Sequence, residues 1–169
     1  MNLFKQNVLL IILSLPLLAT VSVRPVSDSL AISVTQFTPP NITKSTLEQM
    51  KKIAPSTPNT IVIDLRNNLG GHIHDAIGFG ALFVTKNELI QLTTKNNEPL
   101  QVTRPKNHPW IPTHRLIILI NEHTASAAEA AAHILSHHPN SLTIGRKTHG
   151  KNTFNSDSPY KKIMLNTIE

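Results

Sequence analysis

The sequence predicts an α/β domain, with short strands alternating with helices around a mostly buried sheet. Three observations predict it. Ile61–Leu65 (IVIDL) and Leu116–Ile120 (LIILI) are short apolar runs, the first holding one acid, the mark of strands covered on both faces. Each leads through a polar or glycine-bearing turn into a stretch rich in Ala and Gly, the composition of a helix that packs closely. Strand and helix patterns alternate along the chain, as βα units require.

Composition narrows the classes. With 169 residues, 40% hydrophobic and 15% charged, the chain suits one globular domain with a genuine core. Seven aromatic residues (five Phe, one Trp, one Tyr) leave that core to Ile, Leu, Val and Ala. The formal charge of +6 comes from scattered Lys and Arg, with no basic run and no interleaved aromatics, so nucleic acid is not an expected partner. Cysteine is absent, which excludes disulfides and thiol chemistry.

Residues 1–23 read as a signal peptide or N-terminal anchor, and 24–169 as the core domain. Lys5 supplies a positive start and Val8–Leu18 an apolar run of leader length. Pro16 would break a long helix, and the run is shorter than the ~20 residues of a membrane span. Val21 and Val23 are not the small residues preferred before a cleavage site, so an uncleaved anchor stands beside a cleaved leader. Either way the expected location is exported, periplasmic or membrane-associated through this segment.

Leu30–Phe37 alternates as a half-buried strand ended by Pro39 and Pro40. Ser45–Ile53 reads as a helix with Ser45 and Glu48 as a capping box and Leu47, Met50 and Ile53 as its apolar stripe. After the strand at Ile61–Leu65, Gly70–Gly71 make a turn and a helix runs from about Ile73 to Val84. Glu88–Thr94 and Leu100–Thr103 read as a hairpin, and Pro105–Thr113 as loop. The central strand Leu116–Ile120, a helix over Ser126–Ser136, a strand at Leu142–Ile144 and a last strand near Lys162–Thr167 complete the chain.

Ser126 stands at the start of the alanine-rich helix, and Lys151 follows it by 25 residues. The helix travels roughly 15 Å away and the following strand and loop run back a similar distance. The spacing therefore allows the two to meet. A serine hydroxyl becomes a nucleophile only when a base takes its proton. Lysine is such a base when burial brings its pKa down from about 10.4 toward neutrality. The helix start exposes backbone N–H groups such as that of Ala127, and Gly70 and Gly71 can offer others to a developing oxyanion. Other readings of these residues stay open: Ser126 as a plain helix N-cap, Lys151 as a solvated lysine, and His123 or His149 as the base. His133 and His137 share a helix face, and His72 and His74 alternate. No acid stands between His133 and His137 to complete a zinc-protease motif, so neither a metal nor another cofactor is expected. Asp64 and Arg66 suit a structural pairing, Glu129 a loop-fixing hydrogen bond, and Asn67 and Asn68 turn positions.

Three blocks resemble the carboxyl-terminal processing peptidases, also called tail-specific proteases. IVIDLRNNLGG resembles the family's DLRNNPGG turn, TASAAEAAAHIL its SASASE block, and IGRKTHGKNTF its G-E-x-T-F-G-K block. The nucleophile of that family falls on Ser126 and its lysine on Lys151. The resemblance implies a Clp-protease/crotonase-like core and cleavage of protein or peptide substrates near their C-termini by a serine–lysine dyad. Asn155 stands where the family commonly has a glutamine that orients the lysine, Leu69 where it has proline, and Ala128 where it has the block's last serine. There is no room for a PDZ domain between the leader and Leu30, and the core reads as shortened at its C-terminus. A non-catalytic member that binds peptides or apolar ligands is the alternative.

Overall fold

The computed structural model describes residues 20–38, 41–53, 58–83 and 115–150, and the backbone of 88–94, 99–102 and 160–163. Along the chain the elements are β1 (Val21–Val26), β2 (Ser29–Val34), α1 (Ile42–Ile53), β3 (Thr60–Asp64) and α2 (Ile73–Ala81). They continue with β4 (Glu88–Thr94), β5 (Pro99–Val102), β6 (Arg115–Ile120), α3 (Ala127–Ser136), β7 (Ser141–Gly145) and β8 (Tyr160–Ile163). One sheet has the order β1-β2-β3-β6-β7, antiparallel at β1 and parallel from β2 to β7. A second, antiparallel sheet has the order β5-β4-β8.

The period of two along each strand divides the large sheet into two faces. Leu30, Ile32, Ile61, Ile63, Leu116 and Ile118 point to one face and share a core with the buried residues of all three helices. Val62, Ile117 and Leu119 point to the other and form a separate, smaller cluster. Every residue of β3 is buried, Thr60 and Asp64 at its ends included, as a strand covered on both faces requires. Because β3, β6 and β7 are parallel, the loops that follow them leave the same end of the sheet, where open α/β sheets present their sites.

The fold shifts two expected helix boundaries and adds a strand at the start. β1 begins at Val21, inside the stretch read as leader, and pairs with β2 so that Val21 and Val23 are buried. Its V-S-V alternation is a strand pattern masked by the apolar run before it, and Pro25 is tolerated because β1 is an edge strand. Helix α1 starts three residues before Ser45, so the expected Ser45–Glu48 capping box does not form. Ile42, Thr46 and Met50 are buried at intervals of four, which extends the apolar stripe by a turn. The Thr46 hydroxyl donates to the Ile42 carbonyl at 2.7 Å, and Glu48 instead faces Lys44 at 3.9 Å on the solvent side.

Helix α2 stops at Ala81, where Leu82 and Phe83 donate to Phe79 and Gly80 and tighten the last turn; Val84 lies outside the described residues. The hairpin and the strands at 116–120 and 142–144 form where expected, to within two residues. The last strand forms at Tyr160–Ile163, and residues 164–167 of its expected span lie outside the described residues. Among the described residues, no helix is long and apolar enough to cross a membrane.

Candidate active site

Strand β6 delivers the chain to Asn121, and a turn there swings it back into α3. Thr124 N–H donates to the Asn121 carbonyl at 2.9 Å, and Asn121 N–H to Thr124 Oγ1 at 3.0 Å. The Thr124 hydroxyl, fully buried, donates to the Leu65 carbonyl at 2.9 Å and so ties this loop to the end of β3. Ser126 then caps α3 with φ 56° and ψ −121°. A side chain with a β-carbon is rarely held there, at a cost of about 1–3 kcal/mol, and persists only where the surroundings fix it. They do so here. Ser126 N–H donates to Glu129 Oε2 at 2.7 Å, while Glu129 and Ala130 N–H donate to the Ser126 carbonyl at 2.9 and 3.2 Å. The N-cap reading is therefore right about position, but the backbone is that of a sharp strand-to-helix elbow.

The loop after β3 packs directly against that elbow. Asp64 takes both a backbone and a two-pronged guanidinium bond from Arg66, at 2.6 to 3.1 Å, the structural pairing expected of them. The Asp64 carboxylate holds the Arg66 guanidinium still further above its ordinary pKa. Asn67 takes the left-handed turn at φ 61° and exchanges bonds with the Asn121 side chain. Gly70 has φ 102°, and a β-carbon on it would lie 2.8 Å from the Ala125 carbonyl oxygen, 2.9 Å from Ser126 Cβ and 2.9 Å from Ala127 N. Only a glycine keeps the approach to the Ala127 N–H clear. Gly71 has φ 131°, and its β-carbon would run into the Phe37 carbonyl. Phe37 is itself anchored in the core, edge-on to Phe79 at 5.9 Å.

The loop after β7 closes the third side. His149 N–H donates to the Thr124 carbonyl at 3.0 Å, and Gly150 N–H to Glu129 Oε1 at 2.7 Å. Glu129, 1% exposed, thus holds the Ser126 turn with one carboxylate oxygen and Gly150 with the other. At the surface Arg146 meets Glu122 at 3.2 Å. Lys151 and Asn155 lie outside the described residues.

Of the expected site residues, the structure brings Gly70, Ser126 and Ala127 together, with Gly71 next to Gly70 in the chain; Gly150, the residue before Lys151, is held at the same cluster. It separates the roles of the glycines, since Gly70 N–H donates to Asn68 Oδ1 at 2.8 Å. His123 and His149 are both exposed, and neither ring hydrogen-bonds Ser126 among the described residues. His133 and His137 contact edge-on at 4.7 Å; burial, then the neighbouring His137, push His133 down to a pKa of about 4. No group of three or more His, Cys, Asp or Glu able to hold a metal occurs among the described residues. Sequence reasoning missed Asn121 and Thr124, and missed the burial of Asn68. Their local bonds are those of ordinary turn residues, and the partners that tie them into the site, Asn67, Val34 and Leu65, lie 34 to 59 residues away.

The sequence pattern of peptidase family S41 matches residues 28–167. A chloroplastic carboxyl-terminal-processing peptidase 1 of Arabidopsis thaliana is 30% identical over 107 residues, 63% of this chain and 22% of that protein. The carboxy-terminal processing protease CtpA of Bacillus subtilis is 33% identical over 99 residues, covering 59% and 21%. The chain thus spans about a fifth of the length of these relatives. In structure it is similar to a photosystem II D1 C-terminal processing protease, with TM-score 0.65 and 20% identity over 80% of this chain and 38% of the other. The fold is the Clp-protease/crotonase-like core expected. Matched over most of its length, the chain belongs to peptidase family S41.

Proposed function

We propose that this protein is an exported serine endopeptidase that cleaves peptide bonds near the C-termini of protein substrates. Ser126 is the nucleophile, Lys151 the general base and Asn155 the residue that orients the lysine. The backbone N–H groups of Gly71 and Ala127 receive the oxyanion, and Gly70 leaves them room. One observation carries this reading. The Glu129 carboxylate grips Ser126 N–H and Gly150 N–H at 2.7 Å each, which fixes the residue before Lys151 beside the strained serine turn. Preference for C-termini rests on the relatives' names, and export on the apolar segment Val8–Leu18.

In the reaction, neutral Lys151 Nζ takes the Ser126 hydroxyl proton as Oγ attacks the scissile carbonyl carbon. The charge that develops on the carbonyl oxygen is held by N–H donors already in place, the arrangement that contributes most in acyl transfer. Collapse breaks the C–N bond, and Lys151 returns the proton to the leaving amine. Water, deprotonated by the same lysine, then releases the acyl group as a carboxylate and restores Ser126. No step requires the protein's histidines.

Single-turnover cleavage of a peptide library by the full chain, beside Ser126→Ala and Lys151→Ala, tests the assignment. Cleavage in wild type that vanishes in both variants is the expected result. Survival in Lys151→Ala would assign the base to His123 or His149 instead. A folded wild type that cleaves nothing would leave a peptide-binding member of the family.

A further inference from the structure

We infer that Asn68 is a positioning residue: its buried amide decides which N–H of the glycine turn faces the oxyanion. This inference rests on the peptidase reading above. Asn68 is fully buried, 0% exposed, in a turn whose neighbours Asn67 and Leu69 are exposed. Its Nδ2 donates to the Val34 carbonyl at 2.8 Å, at the end of β2, and its Oδ1 accepts from Gly70 N–H at 2.8 Å. A carbonyl needs a donor and an N–H needs an acceptor, so the amide can be oriented in only one way. Its backbone adds two more ties, N–H to the Leu65 carbonyl at 3.2 Å and carbonyl from Ala125 N–H at 2.9 Å. A single residue therefore joins the ends of β2 and β3, the glycine turn and the residue before Ser126.

The consequence is a selection between two adjacent donors. Gly70 N–H is spent on Asn68. Phe37 pairs with the chain on either side of Gly71, its N–H donating to the Gly70 carbonyl at 2.8 Å and its carbonyl accepting from His72 N–H at 2.6 Å. In an extended strand adjacent residues direct their N–H groups to opposite sides, so the Gly71 N–H is turned away from Phe37 and left unspent among the described residues. Without the Asn68 amide, Gly70 N–H would be released and the turn would lose the bond that fixes its rotation.

Two measurements on the full chain test this. In Asn68→Ala, kcat is expected to fall about 10- to 100-fold with KM within about threefold of wild type, because a misplaced donor weakens the transition state more than the bound substrate. A peptide aldehyde, whose adduct with Ser126 carries the same oxyanion, is expected to lose affinity in proportion to kcat, while an uncleaved peptide of the same sequence does not. An unchanged kcat, or a loss matched by the unfolded fraction in the same sample, overturns the inference. The second measurement needs no variant. Amide exchange on the wild type should find Gly70 N–H protected throughout and Gly71 N–H protected only once the aldehyde binds. The reverse order overturns it. Failure of the peptidase reading itself would show separately, as a wild type that neither cleaves peptide nor binds aldehyde.

Discussion

The layer between α2 and α3 and the three-loop rim beside it are held by opposite means. In the helix layer Ala76, Phe79, Ala130, Ala131 and Ile134 belong to one buried apolar core, and Gly80 lets Ile134 approach so closely that an added β-carbon would lie 2.6 Å from its Cγ2. In the rim polar residues are buried as deeply as the apolar core: Asn68 and Thr124 at 0% and Glu129 at 1% exposed. Apolar packing is forgiving of small shifts, because a side chain can adjust. A buried hydrogen-bond network is not, since each unmade bond leaves a desolvated group. The difference teaches where stability and where geometry reside in this fold.

The comparison is broken most directly at its glycines. Gly71→Ala forces a β-carbon into the Phe37 backbone at φ 131°, and should destabilise by roughly 3–5 kcal/mol in urea unfolding. Gly80→Ala meets side-chain rather than backbone atoms, Ile134 Cγ2 at 2.6 Å and Cβ at 2.9 Å, and gains helix propensity, so about 1–3 kcal/mol is expected. Equal losses at the two positions would erase the distinction.

Within the rim, Arg66→Ala leaves the buried Asp64 carboxylate without its two-pronged partner, and should lower stability by about 1.5–3 kcal/mol. Helix α3 carries the opposite kind of weak point, a half-buried imidazole. His133 has a folded pKa of about 4 against an ordinary 6.5, so the unfolded chain binds the extra proton between these values. Its contribution is whole above pH 6.5 and is lost as pH falls toward 4, on the order of 1–3 kcal/mol. His133→Leu should flatten the melting temperature across that window.

Ser126→Gly sharpens the contrast from the other side. Glycine accepts φ 56° and ψ −121° readily, so the variant should gain about 1 kcal/mol and, on the proposed assignment of Ser126 as nucleophile, lose cleavage. The smallest effect belongs to neither region. Leu142→Ser on β7, where Leu142 is 43% exposed, should stay within about 0.5 kcal/mol of wild type.

By itself the sequence determined the order of strands and helices from β2 onward, the buried character of β3 and β6, and the three blocks that carry Gly70, Gly71, Ser126, Ala127, Lys151 and Asn155. Those features are local: a continuous apolar run, a glycine pair or a small-residue helix can be read within a dozen residues. Tertiary structure decided what local pattern leaves degenerate. Asn67 and Asn68 read alike, yet one takes the left-handed turn and the other is buried on Val34 and Gly70. Gly70 and Gly71 read alike, yet only Gly70 donates to Asn68. Val21 and Val23 read as the tail of a leader, yet they lie on β1, which pairs along β2 and whose Val23 N–H donates to Gln49 of α1. The partners that decide lie outside the local pattern: Asn67 is set by Asn121 and Asn68 by Val34, 54 and 34 residues away, and Gly70 by the orientation Asn68 thereby takes. None of these partners leaves a mark on the identity of the residue it selects.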